Sequence, residues 1–538
     1  MTAVALSQRT ARSRRPRALR LEIKHSAAVW VLPILAVLFY FNAYRAAAGL
    51  PPTWTLRASV ITGTIVIFFC VFGAGIAAWV ATREGRRKTG DLLATTARAG
   101  WARQTTMLAA TAFWMVLAYL AGVAAIYIPA ARQATWGSPP LWPVAAGVAA
   151  IAAACAVGFV GGTLFPGRFT APIVAVAVFV LCFIGVNAAN PLLNAAANPL
   201  LNASNGMKGT SALLLPASAR PQIVEAGLFY RISPDVSIAR VMFMGGVLLV
   251  MLGLLALSPV PRLPGVRGMS FAATGRLAVL AAVVVASGVA ACATAVSLTG
   301  TARFSATTGW VIPALHDPAD DQPVPYTQHC TGGAFTVCIH PALDAYLDAI
   351  WGALRPAAAE IAGLPGAPVR AELAVGGAFP AAAGTTSVYA YSGIGGADQS
   401  SFMDTPAEAH TAVWEQGIQQ EFLSWFVSGP QQAVQQAGPD AAQQAVADAL
   451  LAKLGVPAPQ SGPVGSFSGS AGTQGSGAQG SGTQGSGTAS GSQPAASPAQ
   501  ISAAASTFES LSAAARHAWL AANIAALRSG TITLAQLP

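Results

Sequence analysis

The chain has 538 residues, of which 54% are hydrophobic and only 9% charged, and its formal net charge is +10. Soluble proteins carry about 25% charged residues, so the composition argues against a soluble enzyme and indicates a membrane protein. The charge is unevenly distributed: residues 1–299 hold 24 Lys and Arg against 5 Asp and Glu, whereas residues 300–538 hold 6 against 15. The basic run in residues 9–24 directly precedes an apolar stretch, which favours retention at a membrane over nucleic-acid binding. We therefore expect no nucleic-acid partner.

Seven apolar stretches fill the first part of the chain, each close to the roughly 20 residues that a helix needs to cross a bilayer. They cover residues 26–44, 58–82, 105–130, 141–164, 170–187, 241–258 and 277–299. The first stretch is too long, and its basic flank too extended, for a cleaved signal peptide, so an uncleaved anchor is expected. The predicted fold is mainly α: a polytopic α-helical membrane bundle of about seven spans, followed by an extracytoplasmic α/β domain.

Lys and Arg predict the orientation, because short positively charged loops tend to stay in the cytoplasm. With the N-terminus inside, the inner segments 1–25, 83–104, 165–169 and 259–276 hold 17 basic residues, and the outer connections hold 7. An odd number of spans then places the chain after about residue 300 outside. The sequence predicts a multi-pass plasma-membrane protein with residues 1–25 as a basic cytoplasmic N-terminus and 26–299 as the transmembrane domain.

The predicted spans lack the residues of ion-coupled carriers. No Asp, Glu, Lys or Arg lies clearly inside any of the seven stretches, and such residues usually mark ion pathways. An ATP-driven transporter instead needs a phosphate-binding loop of the form G-x-x-x-x-G-K-[ST]. The nearest segment, residues 85–89, has Arg87 where Gly is required. We expect no enzyme activity and no cofactor in this chain, so any ATPase must be a separate chain.

The cytoplasmic loop between the second and third predicted spans is basic and then amphipathic. Thr89 or Asp91 can cap a short helix that carries Leu92 and Leu93 on its apolar side. Such a helix at the cytoplasmic surface suits docking to a partner or to lipid headgroups. The candidate docking residues are Arg83, Glu84, Arg86, Arg87, Thr89, Asp91, Leu92 and Leu93. The simpler alternative is an ordinary positively charged loop.

This loop resembles that of the permease subunits of ABC-2-type transporters, where a Gly-Thr-x-Glu-like step enters a Leu-Leu helix that contacts the nucleotide-binding subunit. Residues 89–93 and Thr95 carry the likeness, which extends over roughly residues 20–258. The resemblance implies one half of a translocation path, with three partners: a separate ABC ATPase subunit, a second permease half (identical or different) and the lipid bilayer. An alternative class is a membrane-anchored receptor or assembly factor whose external domain binds a ligand.

Two of the six cysteines stand apart from the apolar stretches. Cys330 and Cys338 lie in the predicted external part, and the glycines between them suit a hairpin turn. Oxidising compartments favour a disulfide between them, which is the first alternative. Zinc binding with His329 and His340 is a second, because two Cys and two His form a common tetrahedral set. A free or intermolecular thiol is the third.

Residues 300–455 read as a mixed α and β domain. The pattern predicts a helix over 341–362 that Pro356 kinks or shortens, strands near 369–375 and 387–391, and helices over 405–428 and 439–454. The segments 337–341 and 363–368 resemble the external C-terminal domain of some ABC-type permease-like proteins. Neither an H-E-x-x-H nor a G-x-S-x-G motif is present, so we expect no catalytic residues.

The end of the chain has two further segments. Residues 456–500 are rich in Gly, Ser and Gln and predict a disordered linker. Residues 501–538 predict one C-terminal helix with Ser506 and Glu509 as a capping box. Its apolar stripe is expected to dock on the preceding domain.

Overall fold

The structure, a computed structural model, describes residues 19–45, 47, 53–86, 100–182, 213–216, 230–257, 271–305, 308–373, 388–391, 407–429, 440–456 and 496–538. The chain divides into two compact units, Met1–Pro325 and Tyr326–Pro538. The division falls after the expected boundary at residues 299/300, because the segment that follows the last apolar helix packs on the first unit. This segment contains the antiparallel hairpin β1 (Arg303–Ser305) and β2 (Gly309–Val311). Trp310 and Ile312 are buried there against Val236 and Ala295.

Six helices in the described part of the chain are long and apolar enough to cross a membrane. They are α1 (Leu19–Tyr44), α2 (Ile61–Ala81), α4 (Gly100–Gln133), α5 (Leu141–Leu164), α7 (Asp235–Leu257) and α8 (Phe271–Gly300), of which Ala278–Gly300 is the apolar part. The mainly helical fold is thereby confirmed, and the six long apolar helices fit the predicted membrane bundle. The predicted stretch 170–187 forms the shorter apolar helix α6 (Thr170–Cys182), and residues 183–212 lie outside the described residues. The count of seven spans stays a prediction.

Local geometry interrupts the first two membrane helices. Ser26 caps a 3₁₀ turn at Ala27–Val31 within α1 by accepting a hydrogen bond from the backbone of Ala28. The short α-helix Trp54–Val60 leads into α2. The first five residues of α2, Ile61–Ile65, form a π-helical segment with non-helical backbone at Gly63. Such π segments are local insertions in a helix. Both interruptions lie inside stretches that the sequence pattern treats as uniform.

Close approach at small residues holds the helices of the first unit together. A Cβ atom at Gly158 of α5 would collide with the carbonyl oxygen of Ala74 of α2. One at Gly246 of α7 would lie 2.6 Å from the carbonyl oxygen of Gly288 of α8. Small residues allow membrane helices to pack backbone to backbone. Larger side chains such as Tyr119, fully buried on α4, fill the remaining core.

Helix α7 begins earlier than its apolar pattern predicts. The stretch 241–258 leaves Asp235 and Arg240 outside the span, but both lie within the helix and both are buried. Each has a polar partner from a loop: Arg240 donates to the carbonyl of Leu213 at 2.7 Å, and Asp235 accepts from the backbone of Ile312 at 2.8 Å. These partners, which are distant in sequence, satisfy the charged side chains and allow the helix to extend. The helix therefore begins before the predicted apolar stretch, and its first turns carry the two charged residues.

The second unit contains a four-stranded sheet of order β3-β4-β5-β6. Its strands are β3 (His329–Cys330), β4 (Thr336–Ile339), β5 (Arg370–Leu373) and β6 (Val388–Tyr391). Strands β3 and β4 are antiparallel, whereas the β4–β5 and β5–β6 pairs are parallel. Helix α9 (Leu347–Glu360) connects β4 to β5, after a 3₁₀ turn at Pro341–Tyr346. Pro356 lies inside α9, which continues to Glu360.

Four further helices complete the described part of the second unit: α10 (Ala407–Ser428), α11 (Ala441–Lys453), α12 (Pro498–Ser510) and α13 (Ala513–Arg528). The C-terminal segment is two helices, so the predicted single helix is wrong. The backbone is extended at Leu511, between them, and Ser512 caps α13.

The capping box of the C-terminal segment is Ser497 with Gln500, not Ser506 with Glu509. Ser506 lies inside α12 and donates to the carbonyl of Ala503. Helix α12 therefore begins within the predicted linker 456–500, of which residues 457–495 lie outside the described residues.

Candidate functional site

The loop predicted to dock a partner begins where α2 ends. The carbonyl of Trp79 accepts hydrogen bonds from the hydroxyl of Thr82 at 3.0 Å and from the guanidinium of Arg86 at 2.8 Å. The guanidinium carbon of Arg86 also lies 4.5 Å from the centroid of the Trp79 ring. A cation at a helix C-terminus interacts favourably with the helix dipole. Arg86 therefore fixes the end of α2.

Part of the predicted docking set is visible. Arg83 and Arg86 lie on the short helix α3 (Arg83–Arg86), as does Glu84. The remaining predicted residues, Arg87, Thr89, Asp91, Leu92 and Leu93, lie outside the described residues. The next described residue is Gly100, where α4 begins. The structure thus fixes both ends of the loop, residues 87–99, and leaves the docking assignment a prediction.

The sulfur atoms of Cys330 and Cys338 lie 2.10 Å apart, at disulfide distance. The two residues are directly opposite each other on β3 and β4. The neighbouring histidines have other partners: Nδ1 of His329 is 2.8 Å from a carboxylate oxygen of Asp344, and Nδ1 of His340 accepts from the backbone of Ala342 at 3.1 Å. This geometry is that of the disulfide alternative.

His340 caps the turn that follows β4. Its ring is 1% exposed, and it accepts the Ala342 hydrogen bond as the residue before the 3₁₀ turn Pro341–Tyr346. Burial lowers the pKa of His340 to about 4. A neutral imidazole nitrogen is an acceptor, whereas both nitrogens of the charged ring are donors. The neutral ring is therefore the form that caps this turn.

A second group of polar residues, which the sequence reading missed, lies at the start of α7. We call it the His316 cluster; it comprises Asp235, Thr308, Ile312, His316 and Asp321. Oδ2 of Asp235 accepts from the backbone of Ile312 at 2.8 Å and lies 3.6 Å from Nδ1 of His316. Nε2 of His316 lies 3.0 Å from Oδ2 of Asp321, whose Oδ1 accepts from the hydroxyl of Thr308 at 3.2 Å.

The backbone closes the His316 cluster into one turn. The carbonyl of Ile312 accepts from the backbone N–H groups of Leu315 and His316, at 2.8 and 3.0 Å. Ile312 therefore donates to Asp235 and at the same time orients His316 towards it. The Asp235 side chain is 1% exposed and that of His316 is 12% exposed. One residue thus joins a buried carboxylate and a nearly buried imidazole.

The charges around His316 favour its protonated form. Burial opposes the charge, but the hydrogen bond to Asp321 and the attraction of Asp321, Asp235 and Asp320 outweigh it, so the pKa of His316 is raised. The hydrogen bond with His316 and its positive charge in turn lower the pKa of Asp321. In the sequence, His316 lies close to Asp317, Asp320 and Asp321, which is the one local signal for this site. No sequence pattern indicates the contact between His316 and Asp235.

Comparison of the chain with protein-family models, with curated proteins and with solved structures finds no match.

Proposed function

We propose that this protein is the membrane-spanning permease subunit of an ATP-driven transporter of the ABC type, working with a separate ATPase chain. The observation that carries the proposal is the basic segment between the second and third long apolar helices. It starts at the fixed end of α2 with Arg83 and Arg86, and it ends at α4, which begins at Gly100. A partner that binds there can act on both helices.

The geometry of α2 and α4 suits such coupling. Both helices contribute to the buried core of the first unit, where the ring of Phe69 on α2 lies 5.8 Å from that of Tyr119 on α4. Interiors packed in this way transmit displacement with little compression. A movement imposed on the loop between them therefore passes into the bundle and alters how its helices meet.

The proposed orientation places this loop in the cytoplasm, where ATP is available, and the second unit outside the plasma membrane. The excess of Lys and Arg in the predicted inner segments supports it. The Cys330–Cys338 pair at disulfide distance also supports an oxidising location for the second unit. A second permease half, from this chain or another, completes the translocation path in this proposal.

The test is co-purification from native membranes. The tagged full-length protein is solubilised in a mild detergent, and captured proteins are identified by mass spectrometry. The test variant combines Arg87→Glu with Leu92→Asp and leaves Arg86 unchanged, because Arg86 caps α2. The matched control is Arg168→Glu, the same charge reversal at an exposed residue of another predicted cytoplasmic segment.

Capture of an ATP-binding subunit by the wild type and by the Arg168→Glu protein, with loss in the double variant, is the expected result. Equal capture by all three would contradict the assigned docking surface. If the folded wild type captures no ATP-binding subunit, the permease proposal fails. In that case the alternative of a receptor or assembly factor is favoured.

A further inference from the structure

The His316 cluster has a feature that the permease proposal does not use. Both ring nitrogens of His316 face a carboxylate oxygen: Nε2 is 3.0 Å from Asp321, within hydrogen-bond distance, and Nδ1 is 3.6 Å from Asp235, an ion-pair distance at which no hydrogen bond is formed. An ionised carboxylate only accepts hydrogen bonds, and a neutral imidazole carries only one N–H. The neutral ring can therefore donate to only one of the two carboxylates, and it turns a lone pair towards the other. The charged ring, with two N–H groups, donates a hydrogen bond to Asp321 and attracts the carboxylate of Asp235.

Asp235 has few means of balancing its charge without His316. Its backbone N–H and side-chain carboxylate lie at the first turn of α7, where the helix dipole favours an anion. One oxygen accepts from Ile312, but Oδ1 is buried and has no hydrogen-bond partner among the described residues. A buried carboxylate without a counter-charge is costly. The positive charge of His316 is the nearest compensation on the turn.

The other charged groups nearby do not replace His316. Arg231 forms a long ion pair with Asp320, 3.9 Å apart, and its side chain is 68% exposed. Arg240, on the same helix as Asp235, donates to the carbonyl of Leu213. Asp317 accepts from the backbone of Ala319 and caps a 3₁₀ turn. The charges that face the His316 ring are thus carboxylates, those of Asp235, Asp320 and Asp321.

We propose that His316 is a proton-operated latch that ties the turn after β2 to the start of the membrane helix α7. The protonated ring bridges Asp235 and Asp321 and holds residues 308–321 against the helix. Loss of the proton leaves Asp235 buried beside a neutral ring, and the turn separates from α7. The proposal stands independently of the permease assignment.

The direction of the pH effect follows from the shifted pKa values of His316 and Asp321. Because the pKa of His316 is raised, its contribution is complete below pH 6.5 and is lost as the pH rises through the higher folded value. Because the pKa of Asp321 is lowered, its contribution is complete above 3.8 and is lost as the pH falls through the lower folded value. The latch is therefore closed at pH values below the raised pKa of His316 and opens as the pH rises above it.

The test is hydrogen exchange of the full-length protein in lipid nanodiscs, measured by mass spectrometry between pH 6 and pH 9 with exchange times scaled for the intrinsic rate. We expect protection of the 308–321 peptide to fall with rising pH, by at most about tenfold per pH unit above the pKa of His316. His316→Gln should show low protection at every pH. His329→Gln, which removes the histidine–carboxylate pair of the second unit, should keep the wild-type profile.

A second measurement on the wild type does not depend on a variant folding. The rate at which diethyl pyrocarbonate modifies His316, followed by mass spectrometry against pH, gives the pKa of the ring directly. An inflection above 6.5 supports the latch, and one at or below 6.5 overturns it. Constant protection of the wild-type peptide from pH 6 to pH 9, or a wild-type pH profile in His316→Gln, also overturns it.

Discussion

Within the first unit, the long apolar helices are joined to one another by a different kind of contact from that which joins the helices within the second unit. In the first unit, helices meet at glycines: α7 and α8 approach so closely at Gly246 and Gly288 that a methyl group does not fit. In the second unit, buried charged side chains reach across long stretches of chain, as Arg516 does to Glu360. Lipid tails are as apolar as the helix surfaces, so close packing is the main source of specificity between membrane helices. The helices of the second unit are joined in addition by directional polar bonds of this kind.

The largest effect is expected from breaking the polar clamp of the second unit. Arg516 is 4% exposed and donates to Glu360 at 2.6 Å and to the carbonyl of Leu511 at 3.1 Å. Arg516→Met keeps the apolar stem and removes the guanidinium. Removing one partner of a buried ion pair costs about 3 kcal/mol or more; since the Glu360 side chain is 28% exposed, we expect about 3 kcal/mol. Pulse proteolysis in urea measures the loss.

The matched control for the clamp is Lys453→Met, which removes an ion pair with Glu509 that is 3.9 Å long and 37% exposed on both sides. Exposed pairs contribute roughly 0–1 kcal/mol. Equal losses in the two variants would mean that burial of Arg516 has no energetic role. They would also remove the distinction drawn between the units.

A smaller effect is expected from one methyl group in the first unit. Gly246→Ala places a Cβ 2.6 Å from the carbonyl oxygen of Gly288 and 2.7 Å from the sulfur of Cys292, so α7 and α8 must separate. Overpacking of this kind costs about 1–3 kcal/mol. The neighbouring Gly245 has open space at the same position. Thermal unfolding in detergent should therefore show a clear loss for Gly246→Ala and little change for Gly245→Ala; similar midpoints would contradict the packing.

The smallest effect, taken per pH unit, concerns the pH dependence of the second unit. The His340 ring caps its turn in the neutral form, and its pKa is lowered from 6.5 to about 4. The unfolded chain therefore binds a proton that the folded unit does not, and stability falls as the pH drops from 6.5 towards 4. The slope is at most about 1.4 kcal/mol per pH unit. His340→Asn keeps an acceptor without the titration, and urea unfolding at several pH values should show a flatter slope. An unchanged slope would assign the effect to another group.

Much of the helical architecture could be predicted, because a bilayer-crossing helix leaves a long local signal. Six of the predicted apolar stretches overlap the long helices of the structure. The start of α7 could not be found in this way. Asp235 and Arg240 have the sequence character of loop residues. In the fold, however, their charged side chains are hydrogen-bonded by the backbone of Ile312 and Leu213, which are distant in sequence. Contacts between residues so far apart in sequence leave no periodic pattern from which they could be predicted.

The C-terminal segment shows a different reason for error. Ser506 and Glu509 have the spacing of a capping box, but so do Ser497 and Gln500, and it is the second pair that forms one. Two equal local patterns compete, and Pro498 at the first turn favours the earlier start. The docking loop is a third case: its basic charge is evident in sequence, whereas the capping role of Arg86 depends on where α2 ends.

The reach of the C-terminal helices has a consequence for biosynthesis. Arg528 on α13 donates to the carbonyls of Phe426 and Gly366, and Gln443 donates to the carbonyl of Leu527. The central helices of the second unit thus acquire these contacts only after residues up to 528 have been made. The second unit is therefore expected to reach its final fold only once residue 528 has been made, and truncations before this residue are expected to leave the unit open to proteases.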